Sequence, residues 1–173
     1  MFSERLSFVE REFIPAVAPA NPHLGLEHLQ FLPKEEFLRH GKFVRHKECR
    51  SVLKSTHQIG EGYLVYISHR HQQKGRLDDE ENNQFKMCAQ FLEGHASSAA
   101  EGKPVYVWLD FACIPAESQD IEAVCGARAT LTAALLLASA VLVVPRLRVD
   151  KEKKKSGAPG AIYTNLKGLD RAR

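Results

Sequence analysis

Three short apolar runs, separated by stretches with helical patterning, constrain the fold of this chain more than any other feature. The runs lie at residues 63–68, 104–110 and 140–144, and they are rich in β-branched or aromatic residues. Between them, residues 82–96 and about 118–137 carry apolar side chains at helical spacing. Strands that are apolar on both faces and joined by helices are typical of a parallel sheet covered on both sides. The sequence therefore predicts an α/β fold.

The first third of the chain has a different character. Helical patterning is evident only around residues 34–55, and prolines divide this part into short pieces, namely Pro15, Pro19, Pro22 and Pro33. We therefore predict a mainly helical and irregular N-terminal extension at 1–58 and an α/β domain at 59–173. Three parallel strands make an unusually thin sheet. Either the early segment adds strands or the sheet is completed beyond Arg173, and the second alternative is favoured.

Charge and composition limit the partners. The formal net charge of +3 is too small to indicate a nucleic-acid binder. The basic segment 34–54 is interpreted as a solvated helical face, with a surface for an anionic partner as the alternative. No membrane insertion is expected, because the apolar stretch 129–145 is short for a span and becomes Val-rich midway. A buried helix that runs into a buried strand explains that change.

The cysteines indicate the compartment. Four occur without a C-x-x-C pair, and each lies among apolar or helical residues: Cys49, Cys88, Cys113 and Cys125. This pattern favours reduced thiols in a cytoplasmic protein over a disulfide framework. Cys113 has no obvious base partner, so we expect a small buried side chain rather than a nucleophile.

Polar side chains at the ends of the first two runs form the candidate site. Ser68, His69 and Arg70 end the first run, and Asp110 ends the second. In open α/β sheets, ligands bind outside the carboxyl ends of the strands. These four side chains around one crevice could hold a phosphate or a ribose, or form an acid–base pair. The structural alternative is that Asp110 caps the following turn and pairs with Arg70.

Other chemistry has less support. The chain contains no G-x-x-x-x-G-K-[ST] loop, no G-x-G-x-x-G between a strand and a helix, and no G-x-S-x-G elbow. His69 and His71 could act as metal ligands together with Cys113 or Asp110, but no metal site is predicted.

Two of the runs, taken together, resemble a known superfamily. Residues 63–70 read Y-L-V-Y-I-S-H-R and residues 105–115 read V-Y-V-W-L-D-F-A-C-I-P. With the polar loop and helix between them, they resemble the Toll/interleukin-1 receptor (TIR) superfamily, in particular the TIR-like proteins of algae and other protists. W-L-D-F-A-C-I is also similar to a motif of fungal heterokaryon-incompatibility domains. The resemblance covers roughly 59–173 and implies a flavodoxin-like, three-layer α/β/α fold with a short parallel sheet.

The resemblance also implies roles for particular residues. TIR domains commonly use the loop after the second strand for partner contacts, and the matching residues are Phe111, Ala112, Cys113, Ile114 and Pro115. NAD is a possible ligand, and the residues that would line its pocket are Ser68, His69, Arg70 and Asp110. The NAD-cleaving members carry a glutamate in a later W-C-x-x-E segment, which this sequence does not contain. We therefore expect the TIR-like region to be incomplete at its C-terminal end, and no catalytic residue is predicted.

Two main functions follow from this likeness. The favoured one is a signalling and interaction module that associates with itself or with other TIR-like domains and requires no cofactor. The alternative is an NAD+ glycohydrolase that is truncated before its glutamate. Glu117 and Glu122 are nearby carboxylates, but they precede the expected helix. A generic flavodoxin-like nucleotide binder is a third reading, because fold does not fix function.

Overall fold

The sheet has five strands. The computed structural model describes residues 2–70 and 76–145, and these residues form a mixed α/β arrangement. The strands are β1 (Gln30–Pro33), β2 (Lys54–Ser55), β3 (Tyr63–His69), β4 (Val105–Trp108) and β5 (Ala140–Val144). Their order across the sheet is β2-β1-β4-β3-β5.

The three predicted strands are confirmed and are mutually parallel. β3 pairs with β4 on one side, where Tyr66 lies opposite Trp108, and with β5 on the other. Crossover connections between parallel strands are right-handed. Because β4 and β5 lie on opposite sides of β3, the helices between β3 and β4 and the helices between β4 and β5 lie on opposite faces of the sheet.

The early segment supplies the remaining strands. β1 pairs antiparallel with β4, with Leu32 opposite Val107, and β2 pairs antiparallel with β1. Phe31 and Leu32 are fully buried, so residues before 59 share the core of the α/β unit. The sheet is therefore widened from the N-terminal side, which is the less favoured of the two alternatives that the sequence leaves open. The domain boundary at residue 59 stays a prediction.

A long N-terminal helix was not predicted. We call it α1; it runs through Phe2–Phe8, a π-helical turn at Val9–Phe13, and Ile14–Val17. Its inward side carries Phe2, Leu6, Val9 and Phe13, which are spaced as on one helical face. Pro15 suggested a break, because proline cannot donate the helical hydrogen bond. The widened π turn directly before Pro15 accommodates it without ending the helix.

The remaining helices are short except around the connections between parallel strands. They are α2 (Lys34–His40), α3 (His46–Cys49), α4 (Thr56–Ile59), α5 (Asn83–Phe91, continued by Leu92–Ala96 and Ser97–Ala99), α6 (Asp110–Cys113), α7 (Ile121–Ala129) and α8 (Leu131–Leu137). The single helix predicted at about 118–137 is divided at Thr130, whose hydroxyl donates to the Ala127 carbonyl at 2.7 Å. The sequence offers Ser118 or Asp120 as the cap of this helix, and Asp120 is the one that caps it, since its carboxylate accepts from the Ala123 N–H at 3.0 Å.

The sequence also offers Asn82 or Asn83 as the cap of α5, but the first turn of this helix is capped by two aspartates instead. Asp78 accepts from the Phe85 N–H at 2.8 Å, and Asp79 accepts from the Asn83 N–H at 2.9 Å. Asn82 itself adopts a left-handed backbone conformation and makes no capping bond through its side chain.

The apolar stretch 129–145 forms the end of α7, all of α8 and β5. A helix followed by a strand is therefore confirmed, but neither is wholly buried. In the described part of the chain, no helix has both the length and the apolar character needed to span a bilayer. Five apolar side chains of the stretch 129–145 are exposed: Leu131, Leu135, Leu136, Val141 and Val143.

Candidate functional site at the carboxyl end of the sheet

The predicted site begins with two aromatic side chains. Tyr66 and Trp108 lie opposite each other on neighbouring parallel strands, and their rings stack with centroids 4.8 Å apart and planes inclined by 13°. Both side chains are nearly buried. Burial raises the pKa of the Tyr66 hydroxyl, and the nearby charge of Asp110 raises this pKa further. Tyr66 therefore remains a neutral hydrogen-bond donor at the carboxyl end of the sheet.

Asp110 follows β4 and opens α6. Its carboxylate accepts a hydrogen bond from the Phe111 N–H at 2.7 Å, as the capping alternative predicted. The second half of that alternative is not found, because Arg70 and Asp110 are both exposed and form no ion pair with each other. Asp110 thus keeps a solvent-facing carboxylate beside the Tyr66 hydroxyl.

Strand alternation separates the predicted residues into two groups. Successive side chains of β3 point to opposite faces, so Ser68 shares the face of Tyr66 while His69 faces the other way. Side chains paired across parallel strands lie on one face, and Ser68 is therefore beside Val143 of β5. Both are exposed. The structure consequently places Ser68 and Val143 side by side on one exposed surface, next to the buried Tyr66, and excludes His69 from it.

His69 belongs to an aromatic cluster on the opposite face. Its ring lies edge-to-face against Phe43 at 4.7 Å and against Phe111 at 5.2 Å between centroids. Its Nε2 lies 3.2 Å from the Gln84 Oε1. Since the Gln84 amide nitrogen donates elsewhere, this Oε1 is an acceptor, and the His69 Nε2 carries a hydrogen. These contacts give His69 a packing role.

Gln84 was missed by sequence reasoning and is the most constrained polar residue near the site. Its side chain is fully buried in the first turn of α5. Its Nε2 donates to the Arg70 carbonyl at 3.2 Å and to the Pro145 carbonyl at 2.8 Å. It therefore ties together the carboxyl ends of β3 and β5. A glutamine at an apolar position of the helical pattern was the only signal in the sequence.

The expected partner-contact loop is largely packed inside the protein. Residues 110–113 form α6, and three side chains of the segment are buried: Ala112, Cys113 and Ile114. Phe111 is half-buried within the aromatic cluster, and Pro115 is half-buried as well. The N-terminal segment covers this region through α3. The Cys49 thiol donates to the Ala112 carbonyl at 3.6 Å, and Lys47 forms an ion pair with Glu117 at 3.2 Å.

The buried thiols are not activated as nucleophiles. Burial raises the pKa of Cys113 to about 12 and that of Cys49 to about 11. Thiolates are the nucleophilic form of cysteine, so neither side chain is activated. Among residues 2–70 and 76–145 no group of three or more potential ligands is placed to hold a metal ion. His71, the second proposed ligand, lies outside the described residues.

The fold and this site define a mixed α/β protein with an open surface on one face of its parallel strands. Comparisons with models of known protein families, with curated proteins and with solved structures find no match to the chain.

Proposed function

We propose that the chain is a TIR-like interaction module that acts by protein–protein association. The observation that carries this proposal is the exposed apolar surface of α8 and β5. No charged residue occurs between 129 and 145, and leucines and valines of this stretch reach the solvent. Exposed apolar surface of this kind is typical of sites for other proteins.

The strand order supports the TIR-like assignment. In flavodoxin-like sheets the first three parallel strands occur in the order second, first, third, and β4-β3-β5 follows that order. The motif residues also lie at the carboxyl ends of the strands to which the resemblance assigns them. The antiparallel β1 beside β4 is an addition that the resemblance does not imply. The strand order and the motif positions support the TIR-like assignment, while the exposed apolar surface carries the proposed association.

The surface proposed for association is not the one that the resemblance implied. Ala112, Cys113 and Ile114 are buried under the chain's own N-terminal segment, so they offer little area to a partner. The face that bears Val141 and Val143 is accessible instead. The NAD-cleaving alternative has less support, because His69 is packed among aromatic rings on the face opposite Ser68.

Sedimentation velocity of the full chain over about a hundredfold range of concentration tests the proposal. We expect association that increases with concentration, or binding to an added TIR-like domain. A chain that stays monomeric throughout and binds no TIR-like domain would overturn the proposed function. In parallel, incubation with NAD+ should release no nicotinamide, and clear release would establish the enzymatic alternative instead.

A further inference from the structure

We infer that residues 45–54 form a surface that binds an acidic segment of a partner protein. We call this segment the basic edge. It contains α3 and the first residue of β2, and β2 and β5 stand at opposite ends of the described strand order. The basic edge is therefore separate from the apolar surface of α8 and β5, and the inference goes beyond the proposed function.

The basic edge carries a charge as large as the net charge of the whole protein. It reads R-H-K-E-C-R-S-V-L-K, with four basic residues and one glutamate. Its formal charge of +3 equals that of the entire chain, so the remaining residues are neutral overall. A local excess of one sign attracts oppositely charged partners and speeds their encounter with the surface.

The structure shows how the basic edge holds a carboxylate. Glu117 lies between α6 and α7, with one carboxylate oxygen 3.2 Å from the Lys47 Nζ and the other 3.7 Å from the Arg45 Nε. Two cations thus share one carboxylate, which is the contact that an acidic side chain of a partner would make. Glu48, the glutamate within the basic edge, is turned onto its own helix, where it accepts from the Arg45 N–H at 2.8 Å.

Two further cations of the basic edge are available to a partner. Arg50 is exposed and Lys54 is half-buried, and in the described part of the chain neither forms an ion pair. Burial and the charge of Arg50 lower the pKa of His46, whereas the charge of Glu117 opposes them. The His46 Nε2 also lies 3.3 Å from the Oε1 of Gln30, on the strand that pairs with β2. The free cations and the occupied pair therefore form one cluster around His46.

An acidic protein segment suits this surface better than a nucleic acid. Proteins hold single-stranded nucleic acid largely by stacking its bases on aromatic side chains, and the basic edge contains no Phe, Tyr or Trp. Four basic side chains around a fixed carboxylate also make a small footprint for the phosphates of a duplex. An acidic segment, by contrast, repeats the contact that Glu117 already makes.

Fluorescence anisotropy with a labelled deca-glutamate peptide tests the inference on the full chain. We expect binding at low salt that weakens as the ionic strength rises, because salt screens exposed charges. Arg50→Glu/Lys54→Glu should raise the dissociation constant about tenfold or more, since like charges then face each other. Arg50→Glu alone, at an exposed position, should raise it by about threefold. Circular dichroism verifies that each variant is folded.

Two further variants separate specific contacts from net charge. Glu117→Gln frees Arg45 and Lys47, so the peptide should bind more tightly than to the wild type. Arg11→Glu/Lys86→Glu changes the net charge by as much as the double variant of the basic edge, at exposed positions of α1 and α5. This control should leave the dissociation constant within about twofold of the wild-type value.

Equal losses in the two double variants would overturn the inference, because net charge alone would then explain the binding. A peptide that fails to bind at low salt would also overturn it, as would a Glu117→Gln variant that binds the peptide no better. Tighter binding of a ten-nucleotide single strand of DNA would reassign the surface to nucleic acid. Self-association of Arg50→Glu/Lys54→Glu, measured by sedimentation, should match the wild type, so this inference and the proposed function fail independently.

Discussion

The side chain of Gln84 lies where α5, β3 and β5 meet, and it bonds to the Arg70 and Pro145 carbonyls and to the His69 ring. Gln84→Leu keeps the volume but removes every one of these bonds. Buried polar groups left without partners cost about 1–3 kcal/mol each. We expect the free energy of unfolding, measured with urea, to fall by about 2–4 kcal/mol.

Gln90 supplies the control for this change. It lies on the same helix and is exposed, so Gln90→Leu should alter the free energy of unfolding by less than about 0.5 kcal/mol. Equal losses in the two variants would show that Gln84 does not hold the strand ends together.

The buried thiols should make the protein less stable at alkaline pH. Burial raises the pKa of Cys88 and of Cys113 to about 12, from 9.0. A group whose pKa is higher in the folded state ionises first in the unfolded chain. Below pH 9.0 these thiols therefore do not change the free energy of unfolding. Above that pH, each thiol lowers the free energy of unfolding by about 1.4 kcal/mol per pH unit.

Urea titrations between about pH 8 and pH 11 measure this decline. Cys113→Ala should flatten it, because the buried thiol that ionises first in the unfolded chain is then absent. An identical decline in the wild type and in Cys113→Ala would contradict the assignment.

At the residue scale, the sequence predicted which polar residues end β3 and follow β4, but the division of these residues between two faces of the sheet was not part of that prediction. It correctly placed Ser68, His69 and Asp110 at strand ends. Alternation along a strand already requires Ser68 and His69 to diverge, so that part was predictable. The contacts of His69 with Phe43 were not, because they join residues that are distant along the chain. Pairing of that kind leaves no local pattern.

Among the elements, α7 shows a glycine with a structural purpose. A Cβ on Gly126 would overlap the imidazole ring of His28, which packs against this helix. Gly94 in α5 has open space at the same position. Alanine normally stabilises a helix by up to about 1 kcal/mol relative to glycine. We expect Gly94→Ala to raise the melting temperature and Gly126→Ala to lower it, at a cost of about 1–3 kcal/mol.

The His28→Ala background isolates the cause. Without the imidazole ring, Gly126→Ala should lose most of its penalty and approach the benefit expected at Gly94. Calorimetry of the single and double variants gives the coupling free energy. If the penalty at Gly126 is the same in both backgrounds, the contact with His28 is not its origin.

The elements that sequence predicted are those with strong local signals. β3 and β5 are runs of β-branched and aromatic residues, and α5 follows helical spacing over several turns. β1 reads only Q-F-L-P, and β2 has two residues. Strands this short carry no local pattern. β1 forms because it pairs with the edge of β4, and β2 forms because it pairs with β1. These two strands depend on pairing between distant parts of the chain, and such pairing is not visible in a single sequence.

For the whole molecule, the structure predicts that the fragment 59–173 does not fold alone. Deletion of residues 1–58 exposes the edge of β4 that pairs with β1. It also removes large buried side chains: Phe31, Leu32, Phe37 and Phe43. Loss of one such side chain typically costs 2–5 kcal/mol, which is comparable with much of a domain's stability. We expect the fragment to show no cooperative thermal transition.

The full chain measured under the same conditions is the reference for that experiment, and near-ultraviolet circular dichroism reports aromatic packing in both. A fragment with a sharp transition and a native aromatic spectrum would establish 59–173 as an independent domain. It would also make the N-terminal strands an accessory to the fold.

The stack of Tyr66 on Trp108 gives the protein its own optical reporter. The chain has a single tryptophan, and its side chain is 1% exposed. All indole emission therefore originates between β3 and β4, beside the open surface and next to a tyrosine that can transfer excitation to it. Unfolding should shift that emission to longer wavelength. A ligand or partner that settles against Tyr66 should change its intensity, without any label being attached.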